Sequence, residues 1–308
     1  MPSKENCTRV LLVSAICFGL AIGSSAQIIH ASDPLPSFEV ATIKPASSQP
    51  RPSSASPAEV HISNVTVRNL IEQAYGIPWT SAENERVLGG PAWLDTNHYD
   101  IVARIPGDLA EAQKKLSPDQ QKRQISLMLQ SLLAERFRLK LHFETRVLSV
   151  YALAVAKPNP NLVESTRQSE SAESTEPNAQ ETAVSIRLPS KPEDLRHGIL
   201  VLYTGQSAEM TARRASLDDL AHWLAGYSEV GGRPVVNQTG LSGLYDFTFR
   251  WTRQSLAATA QSGSSDAAGS DAPPLFTALP EQLRLRLKST KAPVEVILID
   301  HTDPPTDN

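Results

Sequence analysis

Residues Gln124–Lys157 read QISLMLQSLLAERFRLKLHFETRVLSVYALAVAK, and two hydrophobic periods meet inside that stretch. Ile125, Met128, Leu129, Leu132 and Leu133 fall at i, i+3, i+4, i+7 and i+8, the spacing of one buried helical stripe. Ser117-Pro118 upstream supplies an N-cap and a first-turn proline, so the helix opens there. At Phe137 the period drops to two. Phe137, Leu139, Leu141 and Phe143 alternate with Arg138, Lys140 and His142, which gives a strand with one buried and one wet face. Glu144-Thr145-Arg146 reads as a break, and Val147–Val155 as a second strand, apolar on both faces and suited to a sheet interior.

A related stretch returns 146 residues later. Leu283–Leu287 (LRLRL) matches Phe137–Leu141 (FRLKL), and the same offset carries Glu135 onto Glu281, Val150 onto Val296 and Tyr99-Asp100 onto Tyr245-Asp246. Upstream, Thr66–Gly76 (TVRNLIEQAYG) matches Ser216–Gly226 (SLDDLAHWLAG) at an offset of 150. Each pairs a hydroxyl N-cap with an amphipathic helix and a C′ glycine. The difference between the offsets places a small insertion between Gly76 and Tyr99 of the first copy. Shared order at near-constant spacing argues for internal duplication. The expected fold is therefore α+β, built as two tandem duplicated small units. Each is roughly β-α-β-β-α-β-β, with helices packed on small, mostly antiparallel sheets.

In chain order, residues 1–26 have the form of an export signal. Lys4 and Arg9 precede the apolar run Val10–Ile22, and Ser24-Ser25-Ala26 offers a small-residue cleavage site. The expected location is thus periplasmic or extracellular, after cleavage near Ala26, with no transmembrane segment in the mature chain. The apolar run is short against the about 20 residues that span a bilayer. Cys7 and Cys17 are the only cysteines, both inside this signal, so thiol catalysis and cysteine–zinc sites are excluded from the mature chain. The net charge is −4, and removal of Lys4, Glu5 and Arg9 leaves the chain slightly more acidic, which argues against nucleic acid as a partner.

After a loose leader over residues 31–37, the first unit occupies 38–161. Its expected elements include strands at Phe38–Lys44, Glu59–Ser63 and Tyr99–Ile105. Residues 162–196, dominated by Ser, Glu, Thr, Gln and Pro, read as a disordered linker with too little apolar surface to offset its ordering entropy. The second unit spans 197–301, with expected strands near Gly198–Tyr203, Glu209–Arg214 and Tyr245–Trp251 and a flexible loop at 254–274. A frayed tail covers 302–308. Pro280 stands where the first copy has Ala134, inside the helix, so the second helix is expected to be short or bent.

The blocks FEVATIKP, VRNLIEQAYGI, GGPAWLDTNHYDIVARIP, MLQSLLAERFRLKLHFETRVLSVYALAVAK and GRPVVNQTGLSGLYDF…APVEVILIDH together resemble an exported bacterial family, domain of unknown function 3738, abundant in soil acidobacteria. The resemblance spans nearly the whole mature chain. It implies no activity, since the family has none established. Each unit's element order is also similar to the short N-terminal domain of secretins and TonB-dependent transducers. That resemblance implies docking to other proteins.

The residues themselves name no catalytic constellation. His30, His61, His98, His142, His197, His222 and His301 include no HExxH or other close metal pair, and surface positions are expected for them, His142 and His222 among them. No serine sits in a GxSxG elbow. Gly89-Gly90-Pro91 and Gly231-Gly232-Arg233-Pro234 are turn formers without the spacing of a phosphate cradle. Asp100 and Asp246 each follow a tyrosine at a strand start in corresponding positions, which favours a shared structural role such as pinning a turn over a catalytic carboxylate pair. Trp223 is expected to pack in the core, and Trp93, among Gly and Pro, is expected to be mostly buried.

No catalytic, cofactor or metal residue is assigned, and no cofactor is expected. The preferred function is a non-catalytic module that binds an envelope protein or peptide. An enzyme with a site between the units and a sensor ectodomain are the alternatives.

Overall fold

The computed structural model describes residues 28–30, 34–47, 53–78, 85–116, 118–165, 191–195, 197–253 and 272–305. The expected export signal at 1–26, residues 166–190 of the expected linker and residues 254–271 of the expected loop lie outside the described residues.

Among the described residues the fold is α+β, with three four-stranded, mostly antiparallel sheets. The first contains β1 (Val40–Pro45), β2 (Ser54–Ala55), β3 (Glu59–Thr66) and β5 (His98–Arg104), in the order β1-β5-β3-β2. Its inner face carries Ile43, Val60, Ile62, Ile101 and Ala103, all buried. Against them pack α1 (Val67–Ala74) and α4 (Pro118–Arg136). The stripe read from the sequence is the buried one: Met128, Leu129, Leu132 and Leu133 have almost no exposed surface. The helix α1 opens as expected, the Thr66 hydroxyl accepting from the Asn69 N–H at 3.2 Å, and Gly76 closes it at φ +67°. A β-carbon there would meet Ile29. The short helices α2 (Trp93–Thr96) and α3 (Gly107–Gln113) complete this half.

The second-half sheet follows the order β7-β11-β9-β8, from β7 (Val163–Glu164), β8 (Gly198–Thr204), β9 (Ser207–Ala215) and β11 (Tyr245–Thr252). Behind it sit α5 (Leu217–Ala225) and α6 (Leu275–Ala278). Ser216 and Asp219 form a reciprocal capping box at the start of α5. Gly226 departs from the expected left-handed stop and keeps φ −78°. Pro280 acts as its chemistry requires. The helix α6 is four residues long and continues as a wide π-type turn over Leu279–Leu283, because proline brings no N–H to the regular ladder.

One expectation is corrected in both halves. The break at Glu144–Arg146 does not exist: Lys140–Val155 is a single strand, β6. Leu285–His301 is likewise one strand, β12. No residue of Glu144-Thr145-Arg146 has turn chemistry, and every position from 140 to 155 has a partner on β12. This antiparallel pair forms the middle of a central sheet, in the order β10-β6-β12-β4. Its edges are β4 (Val87–Gly89), parallel to β12, and β10 (Val235–Asn237), parallel to β6. Each long strand therefore enters the other half. Ile297 and Ile299 lie in the core of the first half, and Leu153 lies in the core of the second.

Ordered structure also extends past the expected unit ends. Val163 and Glu164, assigned to the linker, pair with Asp246 and Tyr245, and Leu195 is buried. Thr302 and Asp303, assigned to the tail, both donate to the Phe137 carbonyl, the hydroxyl at 3.1 Å and the N–H at 2.8 Å. Near the N-terminus, Ile28 is buried and the Ile29 carbonyl accepts from Gln130 Nε2 at 2.9 Å.

Candidate binding surface

Asp100 and Asp246 hold equivalent backbone positions. The β3–β5 ladder shifts register between Ile62 and Val65, where Asn64 has φ +53°. The β9–β11 ladder shifts beside Arg214, at φ +48°. Such bulge residues turn an N–H out of the ladder. Asp100 Oδ1 accepts from the Asn64 N–H at 2.8 Å, and Asp246 Oδ1 accepts from the Arg214 N–H at 2.8 Å. Asp100 also takes the Ser47 N–H at 3.1 Å, and Asp246 takes the Ser165 hydroxyl. Both carboxylates are occupied in holding backbone.

Several histidines lie in ordinary contact with carboxylates. His30 Nε2 lies 2.8 Å from Glu295, and His142 Nδ1 lies 2.8 Å from Asp300, with Glu144 at 3.3 Å. Hydrogen bonds to Asp300, then to Glu144, raise the His142 pKa above its usual value. His61 pairs with Glu59, and His301 with Asp303 at 3.3 Å. Among the described residues no group of three or more metal-ligating side chains converges.

His222 departs from the expected surface position. It is half-buried, and burial pushes its pKa down to about 4, helped by Lys122 and Arg86 of the first half and opposed by Asp219. The helical period of α5 puts this side chain on the polar face, yet Lys122 and Arg86 of the first half stand close enough to act on it. The tryptophans part ways too. Trp93 is half-buried against the first core, whereas Trp223 is 42 % exposed, because the stripe of α5 runs through Leu217, Leu220, Ala221, Leu224 and Ala225.

What distinguishes the surface is a sheet edge. Natural sheets guard their edges with short strands, charges, proline or a covering group, because unpaired N–H and C=O groups template a further strand. Among the described residues, five of the six terminal strands follow that rule, and the stretches of β6 and β12 that β10 and β4 leave uncovered carry charges and Pro293. β2 and β7 are two residues long, and β4 and β10 are three. β1 carries Lys44 and Pro45, and Arg136 Nη1 donates to its Ala41 carbonyl at 3.1 Å.

The sixth edge is β8, GILVLYT: seven residues with no charge and no proline. It pairs with β9 through a two-residue connection, Gly205-Gln206, with Gly205 at φ +58°. A two-residue hairpin makes Thr204 and Ser207 a hydrogen-bonded pair, so the ladder to β9 uses Thr204, Leu202, Leu200 and Gly198. The N–H and C=O groups of Tyr203, Val201 and Ile199 point the other way. None of these outward groups has a hydrogen-bond partner among the described residues.

The side chains of β8 are apolar on both faces. Ile199 and Val201 lean on the second core. Leu200 and Leu202 stand half-buried on the outer face, opposite Thr211 and Glu209. Leu202 also lines a 580 Å³ surface cavity floored by the Glu209–Arg250 ion pair and Gln282. Gln282 itself shows how this sheet captures amides. Its Oε1 accepts from the Arg250 N–H at 2.9 Å, and its Nε2 donates to the Arg250 carbonyl at 2.7 Å, closing part of β11 as a neighbouring peptide would.

The strand near 198–203 was legible in the sequence, but its status as an open edge was not. A cue was present, since GILVLYT lacks every residue type that guards an edge.

A family profile described as protein of unknown function (DUF3738) matches residues 68–302. No curated protein and no solved structure matches the chain at a significant level.

Proposed function

We propose, for a chain that belongs to the DUF3738 family of unknown function, a non-catalytic role as a docking module that takes up an extended polypeptide along β8. The observation that carries this reading is the seven-residue, uncharged, proline-free edge with outward amides at Ile199, Val201 and Tyr203. Strand addition gives affinity through backbone hydrogen bonds and specificity through alternate side chains. A bound segment would lay every second side chain beside Leu200 and Leu202, at the mouth of the cavity above Glu209 and Arg250. No helix among the described residues is long and apolar enough to cross a membrane. Export through residues 1–26, and hence an envelope or extracellular setting, belongs to the same proposal and rests on the charged, apolar and small-residue order of that segment.

An origin by internal duplication is part of this reading. Several features support it. The outer sheets share one strand order, under which β1, β5, β3 and β2 answer to β7, β11, β9 and β8. The two Asp-pinned bulges correspond, and so do Arg138 and Arg284, both left-handed at the helix-to-strand junction. The offset of 146 also carries Val147 onto its own partner, Pro293, as a local twofold axis at that pair would require. On this view β8 is the outer strand most extended over its counterpart, seven residues against two in β2.

The test uses Val201→Pro. Its N–H points away from β9, so proline removes an outward donor and spares the hairpin ladder. Peptides selected from a random display library on the wild-type protein should bind the variant at least about tenfold more weakly, the equivalent of roughly 1.4 kcal/mol. Selected peptides that bind both proteins equally would refute docking at this edge.

A further inference from the structure

The docking reading leaves the occupant of β8 open, and the geometry of the strand itself narrows it. We infer that the preferred partner of β8 is the β8 of a second copy of this chain, joined antiparallel about a twofold axis through Val201. This rests on the reading of β8 as a docking edge and names its partner.

Register decides which residues can meet. In an isologous contact residue i of one copy meets residue j of the other, and j meets i. Centred on Val201, Ile199 faces Tyr203 of the second copy, Val201 faces Val201, and Tyr203 faces Ile199. These are the residues whose N–H and C=O groups point outward from the β8–β9 hairpin. Every outward donor therefore meets an outward acceptor, with none left over. Slipping the register by one residue would oppose outward groups to inward ones, and slipping by two would leave one outward residue of each copy unpaired, so this alignment pairs the most backbone groups.

The side chains agree with it. In the same register Leu200 lies opposite Leu202 of the second copy and Leu202 opposite Leu200, so four leucines meet across the axis on the outer face. Direct cross-strand apolar pairs are favourable, and like charges in the same place would be unfavourable. β8 contains no charge at all, so its two copies bring none into register. An edge meant for a charged foreign segment would be expected to display a complementary charge along its length. The nearest ones are Arg253, stacked over the Tyr203 ring at 4.6 Å at the hairpin end, and the Glu209–Arg250 pair on β9 and β11, already matched to each other. A single strand pair buries less surface than the ~1,200–2,000 Å² of a standard stable interface, so the dimer should be concentration-dependent, with dissociation in the micromolar range.

Sedimentation of the full chain over about 1–100 µM tests this. The expected result is a reversible monomer–dimer equilibrium in the wild type and a monomer for Val201→Pro. A dimer that survives Val201→Pro unchanged would place the contact elsewhere and overturn the inference. Charge pairing tests the register without relying on proline. Leu200→Lys alone and Leu202→Glu alone should each stay monomeric, whereas their mixture should form a heterodimer, because position 200 faces position 202 across the axis. No heterodimer from the mixture would overturn this register.

A wild type that stays monomeric also overturns the proposal, and amide exchange then says why. Protected amides at Ile199, Val201 and Tyr203 in that monomer would mean that another segment of the same chain covers the edge. Unprotected amides, together with display peptides lost by Val201→Pro, would leave the docking reading standing with a foreign partner. Unprotected amides and no such peptides would end both.

Discussion

Replacing Ile297 with alanine asks whether the two halves unfold as one body. By sequence Ile297 belongs to the second half, yet it is fully buried in the first core, with Val87 beside it on one strand and Phe143 on the other. Backbone on both sides prevents the site from collapsing around a smaller side chain. Losing three carbons forfeits about 2.4 kcal/mol of transfer free energy at ~0.8 kcal/mol per methylene, and the residual cavity raises the cost to about 3–4 kcal/mol. At a urea dependence of roughly 2–3 kcal/mol per molar, the unfolding midpoint should fall by about 1–2 M. The assay is urea denaturation of two single-tryptophan proteins, one keeping Trp93 of the first half and one keeping Trp251 in the core of the second. Both probes should shift together and by the same amount, because β6 and β12 are paired over their whole lengths. If Trp93 moves to lower urea while Trp251 stays in place, the long strand pair does not couple the halves and the reasoning is wrong.

Other perturbations follow from the same structure. Asp100→Ala and Asp246→Ala each strand the N–H of a left-handed bulge residue, and each should cost about 1.5–3 kcal/mol by thermal unfolding, with Asp→Asn milder because one oxygen acceptor survives. Gly90 has φ +81°, and a β-carbon there would sit 2.4 Å from Leu94 Cδ1, so Gly90→Ala should cost at least the roughly 1–3 kcal/mol of backbone strain and lower Tm. His222 is held neutral by burial with a pKa of about 4, below the ~6.5 of an unfolded histidine, so the unfolded chain takes the proton first. Its contribution is therefore present above pH ~6.5 and lost as pH falls toward 4, by up to about 3 kcal/mol. His222→Gln should flatten stability against pH across that window, and an unchanged slope would show that the ring is solvated.

The local pieces are legible in the chain without its fold. The apolar stripe of α4, the hydroxyl caps at Thr66 and Ser216, the disruption at Pro280 and the structural use of Asp100 and Asp246 all depend on residues near in sequence or on corresponding positions. Their physics is short-ranged: a stripe follows from 3.6 residues per turn, and a cap from one hydroxyl and one N–H. How the pieces share surfaces depends on contacts between residues far apart in the chain. Glu144–Arg146 looks like a break until β12 supplies a partner for each of its residues, and β6 and β12 become single strands because each satisfies the other's backbone. His222 sits on a polar helix face, yet it is half-buried beside charges of the first half. GILVLYT is legible as a strand, but whether a strand ends as the middle or the rim of a sheet depends on what lies beyond it, and β8 has no neighbour on its outer side among the described residues. Backbone hydrogen bonding is a demand that every strand makes and only the assembled sheet answers, so the open edge that carries the functional reading emerged from the fold.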